Sequence, residues 1–222
     1  MFVYSQSMDR GRRGMQLIGM LDSPYVRRVA IALHHLHIPF DHSFLSVFRN
    51  IDEFSQINPL IKAPTLVCDN GEVLMDSTLI LAYIDKLSGQ PLMPEAVDDY
   101  QRALRLIGLA INACDKSVQI EYERKRPEEK QYQPWRDRIQ AQLLAAYDLL
   151  EPYAAETSDW LVGNQLTQAD IAVCVAWQFT QFIAANSANS HRYPALAALS
   201  VRAEALSAFK AVPIEQGWQP KT

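Results

Sequence analysis

The stretch from Met15 to Leu36, MQLIGMLDSPYVRRVAIALHHL, decides the fold of the first part of the chain. Gln16 to Leu21 is a short apolar run typical of a buried strand, and Pro24 to His37 carries apolar residues at helical spacing. Proline suits the first position of a helix because its missing N–H would have no partner there, so Ser23 is predicted to be the N-cap. The free amides and partial positive charge of this helix end favour an anion beside Ser23.

The segments that follow extend this start into a small mixed sheet. They are predicted to be strands at 40–45, 65–68 and 72–75 and a helix at 77–87. A βαβ start favours parallel pairing through a right-handed crossover, and Asp69-Asn70-Gly71 is a signal for a tight hairpin between the last two strands. The order βαβ, loop, ββα predicts an α/β domain over residues 15–88.

Beyond a turn-rich linker at residues 89–96, the chain has the character of an all-α bundle. Its long amphipathic stretches are predicted to be helices at 98–124, 135–156, 167–185 and 194–206. Thr167 and Asp170 match a capping box, and Leu166 is placed to pack on Ile171. Residues 97–222 are therefore predicted to form an all-helical domain.

The composition is that of a folded protein without a polyanionic partner. The chain has 222 residues, of which 49% are hydrophobic, and its 21 basic and 25 acidic residues leave a net charge of −4 with no sustained basic block. This pattern argues against nucleic acid as a partner. The sequence has no apolar run long enough to span a membrane. Residues 1–14 lack the apolar core of a signal peptide and are predicted to be a disordered extension.

Cysteines and histidines give no sign of a metal site. Cys68, Cys114 and Cys174 are far apart and form no CxxC pair, so we expect buried free thiols in a reducing, cytoplasmic compartment. The histidines cluster at 34, 35 and 37 near a helix end, where their spacing does not direct all three to one face. No metal is therefore predicted.

Two further segments suggest that Ser23 does more than cap a helix. Pro64 directly precedes a strand, where its missing donor leaves neighbouring backbone groups free to pair. Asp76 and Ser77 end a strand and open a helix, which predicts a second hydroxyl cap with an acidic neighbour. If these three elements meet at one end of the sheet, where α/β sheets commonly bind ligands, they suit a peptide with an amine and a carboxylate.

This ordered set of motifs resembles the cytosolic glutathione transferases. The set comprises SPYVRR after a strand, NPLIKAPTL at 58–66, MDSTLILAYID at 75–85, the helical second domain and LVGNQLTQADIAV at 161–173. The resemblance runs from residue 15 to about residue 213. It implies a thioredoxin-like N-terminal domain, an all-α C-terminal bundle, and a serine-type bacterial member that acts in detoxification. It also implies a cytoplasmic homodimer that binds one glutathione per subunit as co-substrate.

Within the resemblance, Ser23 matches the catalytic serine, whose hydroxyl donates to the glutathione sulfur. A free thiol has a pKa near ~8.5, and a hydroxyl donor and a helix N-terminus both favour its thiolate. Lowering that pKa by two units requires about 2.7 kcal/mol, within reach of one charge-assisted hydrogen bond and a helix dipole. The SPYV stretch lacks both thiols of a CPYC redox motif, which disfavours thiol exchange through an enzyme cysteine.

The resemblance assigns the rest of the glutathione site to two short segments. Lys62 lies where a contact to the glycyl carboxylate is often found, the backbone of Ala63 matches the partner of the cysteinyl unit, and Pro64 matches the family's cis-proline. Asp76 and Ser77 match the acidic-Ser pair that binds the γ-glutamyl group. The sequence departs from the family at Ile61, where glycine is common, and at Ala63, where valine or isoleucine is common.

The second-substrate pocket is predicted from side chains near the cap and on the helices of the second domain. The main candidates are Tyr25, Val26, Ile111 and Cys114, and the further ones are Trp177, Phe179 and, as a lid, Trp218. Core packing is the alternative for each of the buried candidates. The sequence does not decide whether Arg27 and Arg28 contact an anionic ligand, lie at the interdomain surface, face solvent or form an ion pair.

The predicted reaction is attack of the glutathione thiolate on a small hydrophobic electrophile. Glutathione-dependent isomerisation or peroxide reduction at the same site is the alternative enzyme function. A non-catalytic member of the same fold, with a binding or regulatory role, is the alternative from a different class.

Overall fold

A four-stranded mixed sheet forms the centre of the N-terminal domain in the computed structural model, which describes residues 14–215. Its strands are β1 (Gln16–Ile18), β2 (Asp41–Ser43), β3 (Thr65–Val67) and β4 (Val73–Met75), and its helices are α1 (Pro24–His35), α2 (Ile51–Ile57) and α3 (Ser77–Ser88). The strand order is β2-β1-β3-β4, with β2 parallel to β1 and the other neighbours antiparallel. The predicted βαβ start and the hairpin are confirmed.

In the N-terminal domain the strands are shorter than predicted, and one helix was not predicted. β1 ends at Ile18 because Gly19 leaves the extended conformation with φ +140°, and the chain then turns so that the Ser23 N–H donates to Met20 O at 3.2 Å. The extra helix is α2, which buries only Phe54. A helix of two turns with one buried residue has almost no apolar period to detect.

The second domain is entirely helical within the part of the chain that the structure describes. It contains α4 (Val97–Arg124), α5 (Gln133–Glu156), α6 (Gln168–Ala184), α7 (Pro194–Glu204), α8 (Ser207–Lys210) and 3-10 turns at Glu128–Lys130 and Ala185–Ser187. Trp177 on α6 is buried and contacts Tyr147 and Tyr193 edge-on, with ring centroids 5.2 and 5.8 Å away. Trp177 and the buried Phe179 thus belong to the core.

The predicted capping box at the start of α6 is present. The Asp170 carboxylate accepts from the Thr167 N–H at 2.8 Å and from the Leu161 N–H at 2.7 Å. Thr167 Oγ1 accepts from the Ala169 N–H at 3.2 Å. Asp170 is fully buried, so its hydrogen bonds both start the helix and fix the preceding loop.

Asp85 contacts both the linker and the second domain. Its carboxylate accepts from the backbone N–H groups of Leu92 and Met93 at 3.0 and 3.3 Å and from Gln168 Nε2 at 2.8 Å. The Gln168 N–H also donates to Leu92 O at 3.0 Å. These contacts attach the end of α3 to the start of α6.

Other predictions concern the membrane, the cysteines and the chain ends. Across residues 14–215, none of the helices combines the length and the hydrophobicity that crossing a bilayer requires. Cys68, Cys114 and Cys174 are free and buried, as predicted. The predicted N-terminal extension, except Gly14, and the predicted lid residue Trp218 lie outside the described residues.

Candidate functional site

Ser23 caps α1 as predicted. Its backbone is extended, with φ −79° and ψ 120°, and its Oγ accepts from the Val26 N–H at 3.5 Å. Pro24 follows as the first helical residue. A serine hydroxyl that accepts a hydrogen bond keeps its own proton to donate elsewhere. The half-buried Ser23 hydroxyl can therefore donate to a ligand atom at the positive end of α1.

Gly19 brings three segments of the site into close contact. A Cβ atom at this position would lie 2.6 Å from Val26 Cγ2 and 3.1 Å from Ala63 Cβ, and the backbone φ is +140°. Glycine is the residue that tolerates both this conformation and this approach. The end of β1, the first turn of α1 and the loop before β3 therefore meet beside Ser23.

The loop before β3 has the backbone that the resemblance implies. The Ala63–Pro64 peptide bond is cis, and Ile61 has φ +48°, the left-handed conformation that glycine adopts easily. Thr65 Oγ1 donates to Lys62 O at 2.7 Å and holds the loop closed. Within residues 14–215 no hydrogen bond occupies the N–H or C=O of Ala63. The loop keeps its shape despite Ile61, and it presents a free backbone edge.

Asp76, not Ser77, is the N-cap of α3, which corrects the predicted hydroxyl cap. Asp76 has φ +69°, and its Oδ1 accepts from the Thr78 N–H at 2.9 Å. Both Asp and Ser can cap a helix, and here the chain turns at Asp76 while Ser77 becomes the first helical residue. Asp76 Oδ2 also lies 3.7 Å from Lys62 Nζ, in an exposed ion pair. The structure thus joins two of the predicted glutathione residues.

Arg28 lies beneath Ser77, and sequence reasoning did not assign it to the site. It is 3% exposed, and its Nη1 donates to Ser77 Oγ and Thr78 Oγ1, both at 3.4 Å. Burial lowers the pKa of Arg28 to about 10. The neighbouring Arg27 is buried against α7 and the C-terminal segment, so neither arginine faces solvent. In the sequence, the only sign that Arg28 belongs near this site is its place directly after the cap of α1, next to Arg27.

The second-substrate candidates divide into two groups. Tyr25 is half-buried and its hydroxyl donates to the carboxylate of Asp115 on α4, while Ile111 lies one turn earlier on α4 and is also half-buried. Burial raises the pKa of Tyr25. Val26 and Cys114 are buried in the core, and burial raises the pKa of Cys114 to about 12. Tyr25 thus meets α4 at Asp115, one helical turn from Ile111, whereas Val26 and Cys114 are core residues.

Two aromatic rings form a further contact between the domains. Phe48, on the loop after β2, contacts Tyr122 near the end of α4 with the ring centroids 6.1 Å apart. Both side chains are more than half exposed. Burial raises the pKa of Asp22, the residue before Ser23, against the opposing charges of Arg49 and Lys125. The loop after β2 and the end of α4 therefore flank the start of α1.

Groups of metal-binding side chains and surface grooves are the other places where residues 14–215 could hold a ligand. No group of three or more His, Cys, Asp or Glu side chains there is placed to hold a metal ion. One surface groove of about 360 Å³ is lined by Arg105, Asp148 and Tyr153 among others, and one of about 280 Å³ lies between the linker and the start of α6. Neither groove contains a predicted site residue.

Comparison with known proteins relates both domains to one family. Residues 17–92 match the family model of the glutathione S-transferase N-terminal domain, and residues 113–206 match that of the C-terminal domain. The chain is 28% identical to the uncharacterized GST-like protein YibF of Escherichia coli over 169 residues. This aligned stretch covers 76% of this chain and 83% of that protein. It is 34% identical to glutathione S-transferase U3 of Arabidopsis thaliana over 96 residues, 41% of this chain and 42% of that protein.

Solved structures show the same architecture. A glutathione S-transferase from Methylobacterium radiotolerans, in complex with glutathione sulfonate, has a TM-score of 0.86 and 28% identity, covering 95% of this chain and 100% of that one. A glutathione transferase family member from Pseudomonas fluorescens Pf-5, with bound glutathione, has a TM-score of 0.77 and 30% identity, covering 90% and 98%. The two domain matches, and 30% identity to a family member over 98% of its length, show that the chain belongs to the glutathione S-transferase family.

Proposed function

We propose that this protein is a glutathione transferase of the serine type, in which Ser23 stabilises the glutathione thiolate for attack on a small hydrophobic electrophile. The observation that carries the proposal is the half-buried Ser23 hydroxyl, which caps α1 and keeps its proton for a further acceptor. The glutathione and glutathione sulfonate present in family members of similar architecture support glutathione as the co-substrate.

The loop before β3 and the start of α3 hold the two ends of glutathione in this proposal. The N–H and C=O of Ala63, next to Pro64, pair with the cysteinyl unit and place its sulfur toward Ser23. Asp76 accepts from the γ-glutamyl amino group, and Ser77 donates to the γ-glutamyl carboxylate. The exposed ammonium of Lys62 leaves its ion pair with Asp76 and binds the glycyl carboxylate.

The chemistry follows from where the thiolate is stabilised. Ser23 Oγ–H donates to the sulfur, and the N-terminus of α1 adds positive potential, so the thiol loses its proton to solvent near neutral pH. The sulfur lone pair then forms a C–S bond to the electrophilic carbon, and the leaving group departs with its electron pair. Ser23 orients and stabilises the thiolate and forms no covalent bond.

The electrophile is proposed to bind where α1 meets α4. Tyr25 and Ile111 supply half-buried contact surface there, and the exposed rings of Phe48 and Tyr122 flank the entrance. This mixture of apolar and aromatic surface favours a small hydrophobic molecule over a charged one. We further propose the homodimeric assembly, the cytoplasmic location and the detoxification role that are common in this family.

Calorimetric titration with glutathione, followed by turnover with a panel of electrophiles and peroxides, tests the proposal. We expect saturable binding below millimolar glutathione and conjugation of at least one aromatic or alkyl electrophile. No binding at millimolar glutathione would contradict the proposal. Binding with turnover of peroxides or isomerisable substrates alone would favour the alternative enzyme function, and binding without turnover would favour a non-catalytic role.

A further inference from the structure

Arg28 is a buried cation without a carboxylate partner. Its guanidinium is shielded from solvent, and neither Nε nor Nη2 has a hydrogen-bond partner. Only Nη1 is bonded, through two long contacts of 3.4 Å to the hydroxyls of Ser77 and Thr78. Among the residues that the structure describes, none places a carboxylate within ion-pair distance of Arg28. Burying a charge is costly unless it is paired, so this arrangement requires an explanation.

The adjacent Arg27 shows what a fully paired arginine looks like on the same helix. Its Nη1 and Nη2 donate to the two carboxylate oxygens of Glu204, both at 2.7 Å, and its Nε donates to Val212 O at 2.9 Å. Arg27 is 1% exposed, so the two arginines are equally buried and differ in their partners. The buried charge of Arg27 is thus paired with a carboxylate and fully hydrogen-bonded, whereas that of Arg28 is neither.

The one carboxylate among the electrostatic neighbours of Arg28 is already bound to other groups. Its electrostatic neighbours are Cys114, Asp76 and Tyr25; the thiol and the phenol are neutral near pH 7, and burial raises the pKa of both further above that pH. Asp76, the one carboxylate, is directed to the Thr78 N–H and Lys62. The positive charge of Arg28 is therefore available at the N-terminus of α3.

We propose that Arg28 is a positioning residue for the γ-glutamyl carboxylate of glutathione: it orients the Ser77 hydroxyl and supplies positive potential beneath the start of α3. The inference rests on the proposed function and deepens it, because it names a residue that positions one end of glutathione. The carboxylate provides the negative charge that Arg28 lacks.

The orientation follows from the hydrogen bonds. Because Nη1 donates to Ser77 Oγ, the hydroxyl proton of Ser77 is directed to another acceptor, and a carboxylate is the strongest acceptor that an amino acid derivative offers there. The helix α3 adds its N-terminal partial charge to that of Arg28. Arg28 does not touch the ligand; it acts through Ser77 and through the field across one layer of side chains.

This arrangement predicts opposite effects on folding and on binding. Without ligand, an unpaired buried cation destabilises the fold, so Arg28→Met, which keeps much of the apolar volume, should leave the midpoint of urea unfolding unchanged or raise it. With ligand, the same change should weaken glutathione binding on the order of 10-fold or more, as expected for loss of a nearby charge in a partly buried site. A merely structural arginine would show a lower unfolding midpoint and unchanged binding.

The experiment compares Arg28→Met, Arg28→Lys and the matched control Arg27→Met by urea unfolding and by calorimetry with two ligands. The ligands are glutathione and 4-aminobutyryl-cysteinyl-glycine, which lacks only the γ-glutamyl carboxylate. We expect Arg28→Met to lose affinity for glutathione but not for the analogue, so that the preference for glutathione narrows without vanishing, and Arg28→Lys to recover most of the loss. Arg27→Met should unfold at lower urea and bind glutathione as the unchanged protein does.

Two results would overturn the inference while leaving the proposed function intact. One is glutathione binding by Arg28→Met within about twofold of the unchanged protein, and the other is an equal loss of affinity for both ligands. A failure of the unchanged protein to bind glutathione would instead remove the proposed function, and the inference with it. If Arg28→Met does not fold, an Arg28→Lys variant that binds glutathione much more weakly despite normal stability would also overturn the role of the charge.

Discussion

The hydroxyl of Tyr25 donates a hydrogen bond to the carboxylate of Asp115, and this contact joins the first turn of α1 to the middle of α4. Ser23 lies two residues before Tyr25, so the helical domain is attached directly beside the proposed catalytic hydroxyl. The same contact forms one wall of the proposed electrophile site. Changes at Tyr25 should therefore affect the second substrate more than glutathione.

Replacing Tyr25 with phenylalanine removes this hydrogen bond and keeps the ring. We expect the KM for the electrophile to rise severalfold, the Kd for glutathione to stay unchanged and the stability to fall by about 1 kcal/mol. Asp115→Asn is the matched control, since its amide oxygen can still accept from Tyr25. Equal losses of glutathione affinity and electrophile affinity in Tyr25→Phe would contradict this division of the site.

Lys62 is expected to exchange Asp76 for the glycyl carboxylate when glutathione binds. Lys62→Met should weaken glutathione binding about 10-fold, because a charge-assisted hydrogen bond to the ligand is lost, with little change in kcat. The loss should shrink as ionic strength rises, since exposed charges are screened. Steady-state kinetics at two salt concentrations measure this, with Lys86→Met, at the far end of α3, as control. A change confined to kcat would contradict the assignment.

The three cysteines should be unreactive in the folded protein. Burial raises the pKa of Cys68 and Cys174 above that of an ordinary thiol, and that of Cys114 to about 12. A raised pKa keeps each thiol protonated at pH 8, and the thiolate is the reactive form. Mass spectrometry after iodoacetamide treatment should find no labelling in the native protein and three labels in urea. Rapid native labelling of Cys114 would place it in an open cleft instead.

Substitution of Asp170 should lower the stability of the protein, because its carboxylate caps the start of α6. Asp170→Asn keeps the size but puts a donor where the Thr167 and Leu161 N–H groups need an acceptor, so we expect a loss of about 2 kcal/mol. For a chain of this length the melting temperature should then fall by roughly 4–8 °C. Calorimetric melting measures the change. A melting temperature within a degree of the unchanged protein would show that the cap contributes nothing.

Local signals predicted those parts of the site that depend on neighbouring residues. The Ser23-Pro24 pair defines its own cap, and Thr167 and Asp170 define theirs, because each motif bonds within one helical turn. At Asp76 and Ser77 the same reasoning chose the wrong residue. Asp and Ser are both good capping residues, so the sequence does not distinguish two that are adjacent, and in the fold Ser77 Oγ instead accepts from Arg28, about 50 residues earlier.

Burial of the arginines could not be predicted because it depends on distant segments. Arg27 and Arg28 are neighbours on one helix, yet Arg27 meets Glu204 on α7 while Arg28 meets the start of α3. Helical periodicity says that they point in directions about 100° apart, and it does not say what covers either one. For the same reason Val26 and Cys114 were candidates for an open pocket, although the packed structure buries both.

The pKa of the bound glutathione thiol tests the central role of Ser23 most directly. Ultraviolet difference spectra near 240 nm follow the thiolate of the complex as the pH is raised, in the unchanged protein and in Ser23→Ala. We predict a pKa about two units below that of free glutathione in the unchanged protein and a return toward the free value in Ser23→Ala, with glutathione affinity changed by less than about threefold. The same thiol pKa in both proteins would contradict the account and leave Ser23 as a helix cap alone.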